Sequence, residues 1–284
     1  MADINETEMD PISSEEMTSV AVPPKENSST EKSPRNSNAF AELMAPKPTK
    51  SHTPKRSSKG AYTVFDHRDG LGAYLKDPTA FPPERVIYHN DKWVVINDLY
   101  PKSSIHLLLL PRDSAINKLH PFDALEDPEF LASAQAEVKY VKSLAAKELR
   151  RKFGTGSTQE KPRLDAMEAN PPPEVLPDGR DWDKEVISGV HAVPSMNHLH
   201  IHVLSVDRVS ECMKHTKHYN SFATPFLVDV KDFPLAADDV RRHPGRQGYL
   251  HQDLRCWKCG RDFGNRFAKL KTHLQEEFGE WKTA

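Results

Sequence analysis

Residues 198–203 read His-Leu-His-Ile-His-Val. On a strand, successive side chains point to opposite faces, so this alternation sets His198, His200 and His202 in a row on one face and three aliphatic groups on the other. The apolar face can pack into a core while the histidine face stays available for chemistry. Each ring needs hydrogen-bond partners to offset its desolvation, so three on one face imply a purpose. The bland reading is a row of structural histidines satisfied by hydrogen bonds; beside it, two chemistries suit such a row. Neutral imidazole binds zinc and copper, but alternate strand positions lie about 6.5 to 7 Å apart at Cα, and three neighbours share one ion only if their side chains converge strongly. Covalent phosphoryl chemistry needs less: one central imidazole attacks phosphorus, and its neighbours orient it or donate to the phosphate oxygens.

A second constellation lies near the C-terminus. Cys256-Trp257-Lys258-Cys259 is followed by thirteen residues and then by His273-x-x-x-Glu277. His273 and Glu277 are four apart, hence on one face of a helix, and the cysteines fit a tight knuckle. Phe263 and Leu270 supply a small core. Tetrahedral zinc is the natural occupant, with Glu277 where an ordinary finger has a second histidine; the alternative is a surface glutamate with water or nothing in the fourth position. A unit of this size builds no core without metal, so the zinc is structural. Arg255, Lys258, Arg261, Arg266, Lys269 and Lys271 surround it, and such cations suit phosphate contacts that position DNA without reading its sequence.

Composition limits what else the chain can be. It has 284 residues, a net charge of −2 and 37% hydrophobic residues. No apolar run reaches membrane-span length and the N-terminus lacks the apolar core of a signal peptide, which predicts a soluble intracellular protein with no membrane partner. Three cysteines make no disulfide framework. From Arg208 to His273, 13 Lys and Arg stand against 7 Asp and Glu, so that half can face a polyanion. Residues 1–60 are crowded with Ser, Thr, Pro, Glu and Lys and read as a disordered arm. Within it Lys47 to Lys59 is either a solvated tail or a nuclear-import or nucleic-acid-binding segment.

The elements that must position these residues are legible as an α+β pattern. A short helix around Leu71, Ala73 and Tyr74 ends at Pro78. Strands are predicted over Val86–His89 and Lys92–Asn97, joined by an Asn90-Asp91 turn, and over Ile105–Leu110. Phe130–Arg151 has apolar residues at three- and four-residue steps and predicts a helix covering the sheet. Residues 153–184, with Pro171-Pro172-Pro173, read as a long insertion without an element of its own. Val186–Val193 and Leu199–Val206 resume as antiparallel strands, giving a meander sheet with a covering helix. The expected division is an arm (1–60), a catalytic domain (61–230) and a DNA-binding zinc-finger domain (231–284).

With the histidine row, the preceding Pro194-Ser195-Met196 and the upstream Ile105-His106-Leu107, the chain resembles the histidine triad family of nucleotide hydrolases and transferases. Over most of residues 62–284 it is similar to the aprataxins within that family. The stretches that carry this are Asn97-Asp98-Leu99-Tyr100-Pro101-Lys102, Gly189 to Met196, Lys217-His218-Tyr219-Asn220-Ser221-Phe222 and the zinc site, whose Cys-Cys-His-Glu set resembles that of fungal aprataxins. The resemblance implies a histidine triad fold followed by a small zinc finger, and a hydrolase that removes AMP from DNA 5′ ends left by abortive ligation. Such an enzyme acts in single-strand break repair in the nucleus, with AMP as product and no metal in the hydrolysis step.

The same resemblance assigns roles to residues. His200 is the nucleophile, forming an adenylyl-histidine that water hydrolyses. His202 and His106 contact the phosphate, His198 helps orient the nucleophile and His191 lies near the leaving group. Asp98, within the nucleotide-binding stretch Asn97 to Lys102, accepts from ribose hydroxyls; Ser195 and the backbone at Met196 hold the 5′ phosphate. Lys217 and the aromatics after it suit a nucleic-acid strand. A stacking wedge is expected within Tyr62–Tyr74, with Phe65, His67 and Leu71 as candidates. Residues 1–60 are too short and polar for the forkhead-associated domain of animal aprataxins. The competing readings are a general nucleoside phosphoramidase or dinucleotide polyphosphate hydrolase, which needs no finger, and a nucleic-acid-binding protein without activity, which needs no intact histidines.

Overall fold

The computed structural model describes residues 67–284. The arm, its basic stretch and Phe65 lie outside the described residues. Strand β1 (Val86–His89) turns through Asn90 into β2 (Trp93–Asn97). The Asn90 side chain closes that turn by accepting from the N–H groups of Lys92 and Trp93 at 2.9 and 2.8 Å, the local bond that suits asparagine to turns. Strand β3 (His106–Pro111) is buried at every position. It is followed by the long helix and then by β4 (Val186–His191), β5 (Ile201–Ser205) and the short β6 (Leu227–Val228).

The strand order is β1-β2-β3-β5-β4-β6, with neighbours antiparallel. The expected meander therefore holds only as far as β3. The long helix carries the chain across the sheet beyond the β5 position, and residues 192–200 bring β5 back between β3 and β4. This exchange sets His106 and His202 on adjacent strands.

Helix α1 (Gly72–Lys76) covers one face of the sheet and α2 (Pro128–Phe153) the other. Asp127 caps α2 by accepting from the Phe130 N–H at 2.7 Å, and Pro128 occupies the first turn, where no N–H is needed. Its buried stripe, including Leu131, Ala134, Val138, Val141, Ala145 and Leu149, packs on Trp93, Val95, Leu107, Leu109, Ile201 and Val203. On the opposite face Leu71 and Tyr74 of the α1 region pack on Val86, Val94, Ile96, Leu108 and Leu110. Leu71 is thus core, contrary to its place among the wedge candidates, because the sheet's second apolar face needs a cover. With a two-residue period, His106 shares the α1 face with Leu108 and Leu110, and His202 shares it with Leu204.

The insertion has structure after all. It contains helix α3 (Lys161–Glu168) and fastens the C-terminus to the sheet. Buried Arg180 donates to the Trp281 carbonyl at 2.6 Å and to Glu185 at 3.0 Å, with its guanidinium 4.2 and 5.1 Å from the ring centroids of Trp182 and Trp281. Buried Glu160 accepts from Trp182 Nε1 at 2.6 Å and from Arg150 at 2.8 Å. Trp281 ends the finger's helix and joins the main core, so finger and sheet pack as one body.

Candidate active site and metal site

The histidine row is not a single strand face. Strand β5 begins at Ile201, so His198 and His200 precede it while His202 lies within it. The Leu199 N–H goes to the Asn117 carbonyl at 2.8 Å and the Asn197 N–H to the Arg68 carbonyl at 2.9 Å, which takes this segment out of the sheet ladder. The rings are also buried rather than solvent-facing.

That departure places His200 in a defined proton state. Its Nδ1 lies 2.8 Å from the His198 carbonyl, which can only accept, so Nδ1 carries the proton and Nε2 keeps its lone pair. Burial lowers the ring's pKa, with the His198 carbonyl and Asp98 opposing, so the neutral form prevails at neutral pH. A neutral imidazole with a bare Nε2 can act as a nucleophile.

A second chain of bonds assigns the neighbouring protons. The Lys102 peptide N–H donates to His106 Nδ1 at 3.1 Å, so in neutral His106 the proton is on Nε2. This nitrogen is 3.0 Å from His202 Nδ1, which leaves His202 with its proton on Nε2. His202 Nε2 is buried and has no hydrogen-bond partner among the described residues, and the same holds for His191 Nε2. At His202 the unpaired atom is a donor, and a buried donor left unpaired costs about 1–3 kcal/mol, a cost that an anionic ligand's oxygen would remove. Burial drives both pKa values well below the usual imidazole value and holds His106 near about 4, with Asp98 opposing.

The register explains the meeting of these rings. His106 pairs with Leu204 and Leu108 with His202, so the two histidines are diagonal neighbours on one face. His191, at the end of β4, stands diagonally from His202, which pairs with Gly189; their ring centroids are 4.3 Å apart. Phe222, from helix α4 (Thr216–Ala223), walls the group: its ring centroid lies 5.3, 4.8 and 5.1 Å from those of His106, His191 and His202. Arg208 fixes Phe222 by donating to its carbonyl from two nitrogens, at 3.2 and 3.0 Å. Lys217 stands in the first turn of α4, and His218 is a buried ring whose Nδ1 accepts from the Lys214 N–H.

The stretch 97–102 splits in two. Asn97 turns outward and its amide donates to the Glu84 carbonyl at 2.8 Å, a structural use that closes β1 onto β2. Asp98 uses Oδ1 to accept from the Tyr100 N–H at 2.8 Å and brings Oδ2 within 3.4 Å of His106 Nδ1. Burial opposes its ionisation, yet His106, Lys102 and the Tyr100 N–H outweigh burial and lower its pKa. Lys102 donates to the Tyr100 carbonyl at 2.7 Å, Leu99 is exposed, and the Pro101 carbonyl accepts from Ser210.

Residues ahead of the histidines brace their loop, and sequence reasoning passed over them. The Arg68 guanidinium donates to the carbonyls of Ser195 and Pro194 at 2.9 and 3.2 Å. Asp69 accepts from Asn197 at 3.1 Å and stands 3.8 Å from His198 Nδ1. Gly72 lies so close that a Cβ there would come 2.8 Å from the His198 ring. Met196 packs against the apolar cluster that contains Leu71, Tyr74 and Leu108. No local pattern marks these residues; only the fold brings 68–72 to 194–198.

In the finger, the ligand-type atoms of Cys256, Cys259, His273 and Glu277 all lie within 4.8 Å of one another. His273 Nε2 is 3.2 Å from both Cys259 Sγ and Glu277 Oε1. Tetrahedral zinc, with bonds of about 2.0–2.3 Å, sets ligand edges of about 3.3–3.8 Å, so the donors fit it in number, type and spacing. Gly260, at φ +73°, turns the knuckle, and helix α5 (Phe267–Trp281) carries His273 and Glu277. Leu254, Cys256, Phe263, Leu270 and Leu274 form its core with Tyr219 of α4. The Tyr219 hydroxyl donates to the Arg255 carbonyl at 2.7 Å and accepts from the Trp257 N–H at 3.1 Å.

Fold and sites together define a histidine triad domain joined to a zinc-binding finger. Residues 81–209 match the HIT domain family and residues 223–280 the C2HE / C2H2 / C2HC zinc-binding finger. The chain is 32% identical to the aprataxin-like protein of Schizosaccharomyces pombe over 253 residues, covering 87% of this chain and 95% of that one. It is 36% identical to the aprataxin-like protein of Saccharomyces cerevisiae over 217 residues, covering 74% and 95%. Among solved structures it is similar to the aprataxin ortholog Hnt3 from Schizosaccharomyces pombe, with a TM-score of 0.59 and 30% identity over 74% of this chain and 92% of that one. It is likewise similar to Hnt3 in complex with DNA and guanosine, with a TM-score of 0.59 and 31% identity over 75% and 96%. The chain belongs to the aprataxin family.

Proposed function

We propose that this protein hydrolyses DNA 5′-adenylates in nuclear single-strand break repair. The observation that carries the reading is His200, whose Nδ1 proton is held by the His198 carbonyl so that Nε2 keeps a lone pair. Family membership supports the substrate class, as does the DNA bound in the related Hnt3 complexes. In the first step His200 Nε2 attacks the AMP phosphorus; an N–P bond forms as the P–O bond to the DNA 5′-phosphate breaks, and that phosphate leaves as an anion. In the second, water attacks the same phosphorus, the N–P bond breaks, AMP departs and the water proton is released. The N–H group at His202 Nε2 meets the charge on a phosphoryl oxygen, and the His191 ring, 4.3 Å from that of His202, lines the same site. Lys102 and His106 hold the His202 proton in place, and Asp98 faces the ribose. The phosphoryl steps need no metal, and zinc in the finger is structural.

The test is incubation with a nicked duplex carrying a 5′-AMP. AMP release with an acid-labile adenylated enzyme is expected. Hydrolysis of AMP-lysine but not of the nick would point instead to a general phosphoramidase. Absence of both activities would sink the enzymatic reading.

A further inference from the structure

The Glu277 carboxylate is divided between two neighbours. Oε1 lies 3.2 Å from His273 Nε2, on the side where the four donors converge. Oε2 is 2.7 Å from Lys258 Nζ, in a pair whose side chains are 11% and 34% exposed. The same ammonium reaches the far more exposed Glu280 at 3.0 Å. Lys258 also lies between the two cysteines, and its backbone N–H donates to Cys256 Sγ at 3.4 Å. One residue thus touches two of the four donors, through its backbone and through its side chain.

The donor set explains why such a residue is useful. Two thiolates and a carboxylate carry one more negative charge than zinc carries positive, whereas two thiolates and two imidazoles leave the site neutral. Excess charge in a half-buried site is costly unless a cation meets it. Outer partners also orient ligands, and a carboxylate free to rotate can offer either oxygen or both. We propose that Lys258 is the counter-ion of this metal site: it neutralises the charge that Glu277 brings and holds the carboxylate so that one oxygen faces the metal. The sequence pattern had grouped Lys258 with the phosphate-contacting cations of the finger; its ammonium is instead committed to Glu277 and Glu280. The inference rests on zinc occupying the finger.

The experiment is zinc affinity of the full-length protein by chelator competition, with circular dichroism at saturating zinc as the check on folding. Lys258→Met is expected to weaken zinc by about ten- to a hundredfold, the usual effect of losing an outer-shell partner. In a Glu277→His background the fourth donor is neutral, so adding Lys258→Met should change affinity by less than about threefold. Lys258→Arg, which keeps the charge, should stay within about threefold of wild type. An unaffected Lys258→Met overturns the proposal, and so does an equal loss in both backgrounds. If Lys258→Met does not fold even with zinc, the double variant decides: the proposal requires that it fold and hold zinc. A wild-type protein that binds no zinc overturns the zinc reading and this proposal together, whereas normal wild-type binding with an indifferent Lys258 overturns this proposal alone.

Discussion

The ring nitrogens of the triad site form chains, whereas the four donor atoms of the finger face one point. Along His106, His202 and His200 each proton is assigned by a peptide N–H, a carbonyl or another ring, and the bonding ends on His202 Nε2, which no group among the described residues satisfies. In the finger the ligand-type atoms lie within 4.8 Å of one another, as an ion would gather them. Both regions use histidine and carboxylate. The difference teaches that residue type alone does not separate catalysis from metal binding; the direction of lone pairs does. Asp98, His106 and His202 also fall within metal-binding distance of one another, yet the nitrogens of the two rings face each other and the Lys102 N–H.

The largest expected effect breaks the triad side of this comparison. His200→Ala should abolish turnover, with single-turnover AMP release reduced at least about a thousandfold and DNA binding and circular dichroism retained. Substantial release by that variant would remove His200 as nucleophile. On the finger side, Cys256→Ser or His273→Ala should cost the bound zinc together with the helix around Leu270 and Leu274. Metal analysis and far-ultraviolet circular dichroism check this, and loss of metal without loss of helix would show that the core of the finger stands by itself.

His202→Ala should lower kcat by about a hundred- to a thousandfold and leave substrate affinity nearly unchanged, because its Nε2 proton acts on charge that grows in the transition state. A loss confined to KM would contradict that. A smaller effect is set by pH. His106, His191, His198, His200 and His202 all have pKa values lowered by burial, so between the ordinary imidazole value of 6.5 and the value of about 4 at His106 the unfolded chain binds more protons than the folded one. Stability is therefore complete above pH 6.5 and is lost as pH falls toward 4, read as a falling thermal midpoint. A midpoint independent of pH across that window would mean that the rings are already hydrated. The smallest effect sharpens the finger side: Glu277→His should keep zinc while Glu277→Gln weakens it, measured by chelator competition.

The finger was legible because its information is local. Two cysteines in a knuckle and two donors four apart on a helix meet by spacing alone. The triad was only half legible: alternation marked His198, His200 and His202, but the strand starts later than the alternation does, because Arg68 and Asn117 capture the preceding backbone. Asn97 and Asp98 are neighbours with the same polar look, and nothing short of the hairpin geometry sends one outward to Glu84 and the other toward His106. Residues 153–184 looked empty because their anchors, Glu160 and Arg180, bond to groups on α2, near β4 and at the C-terminus.

By itself the sequence marked the alternating histidines, the α+β alternation of elements and the four candidate metal donors, since period and spacing act over a few residues. The tertiary structure decided the strand exchange that sets His106 beside His202, the carbonyl that holds the His200 proton, the Phe222 wall and the ammonium of Lys258 on Glu277. Each of these is a hydrogen bond, ring contact or ion pair between groups that only packing brings within reach, and its direction depends on backbone geometry that no local pattern encodes.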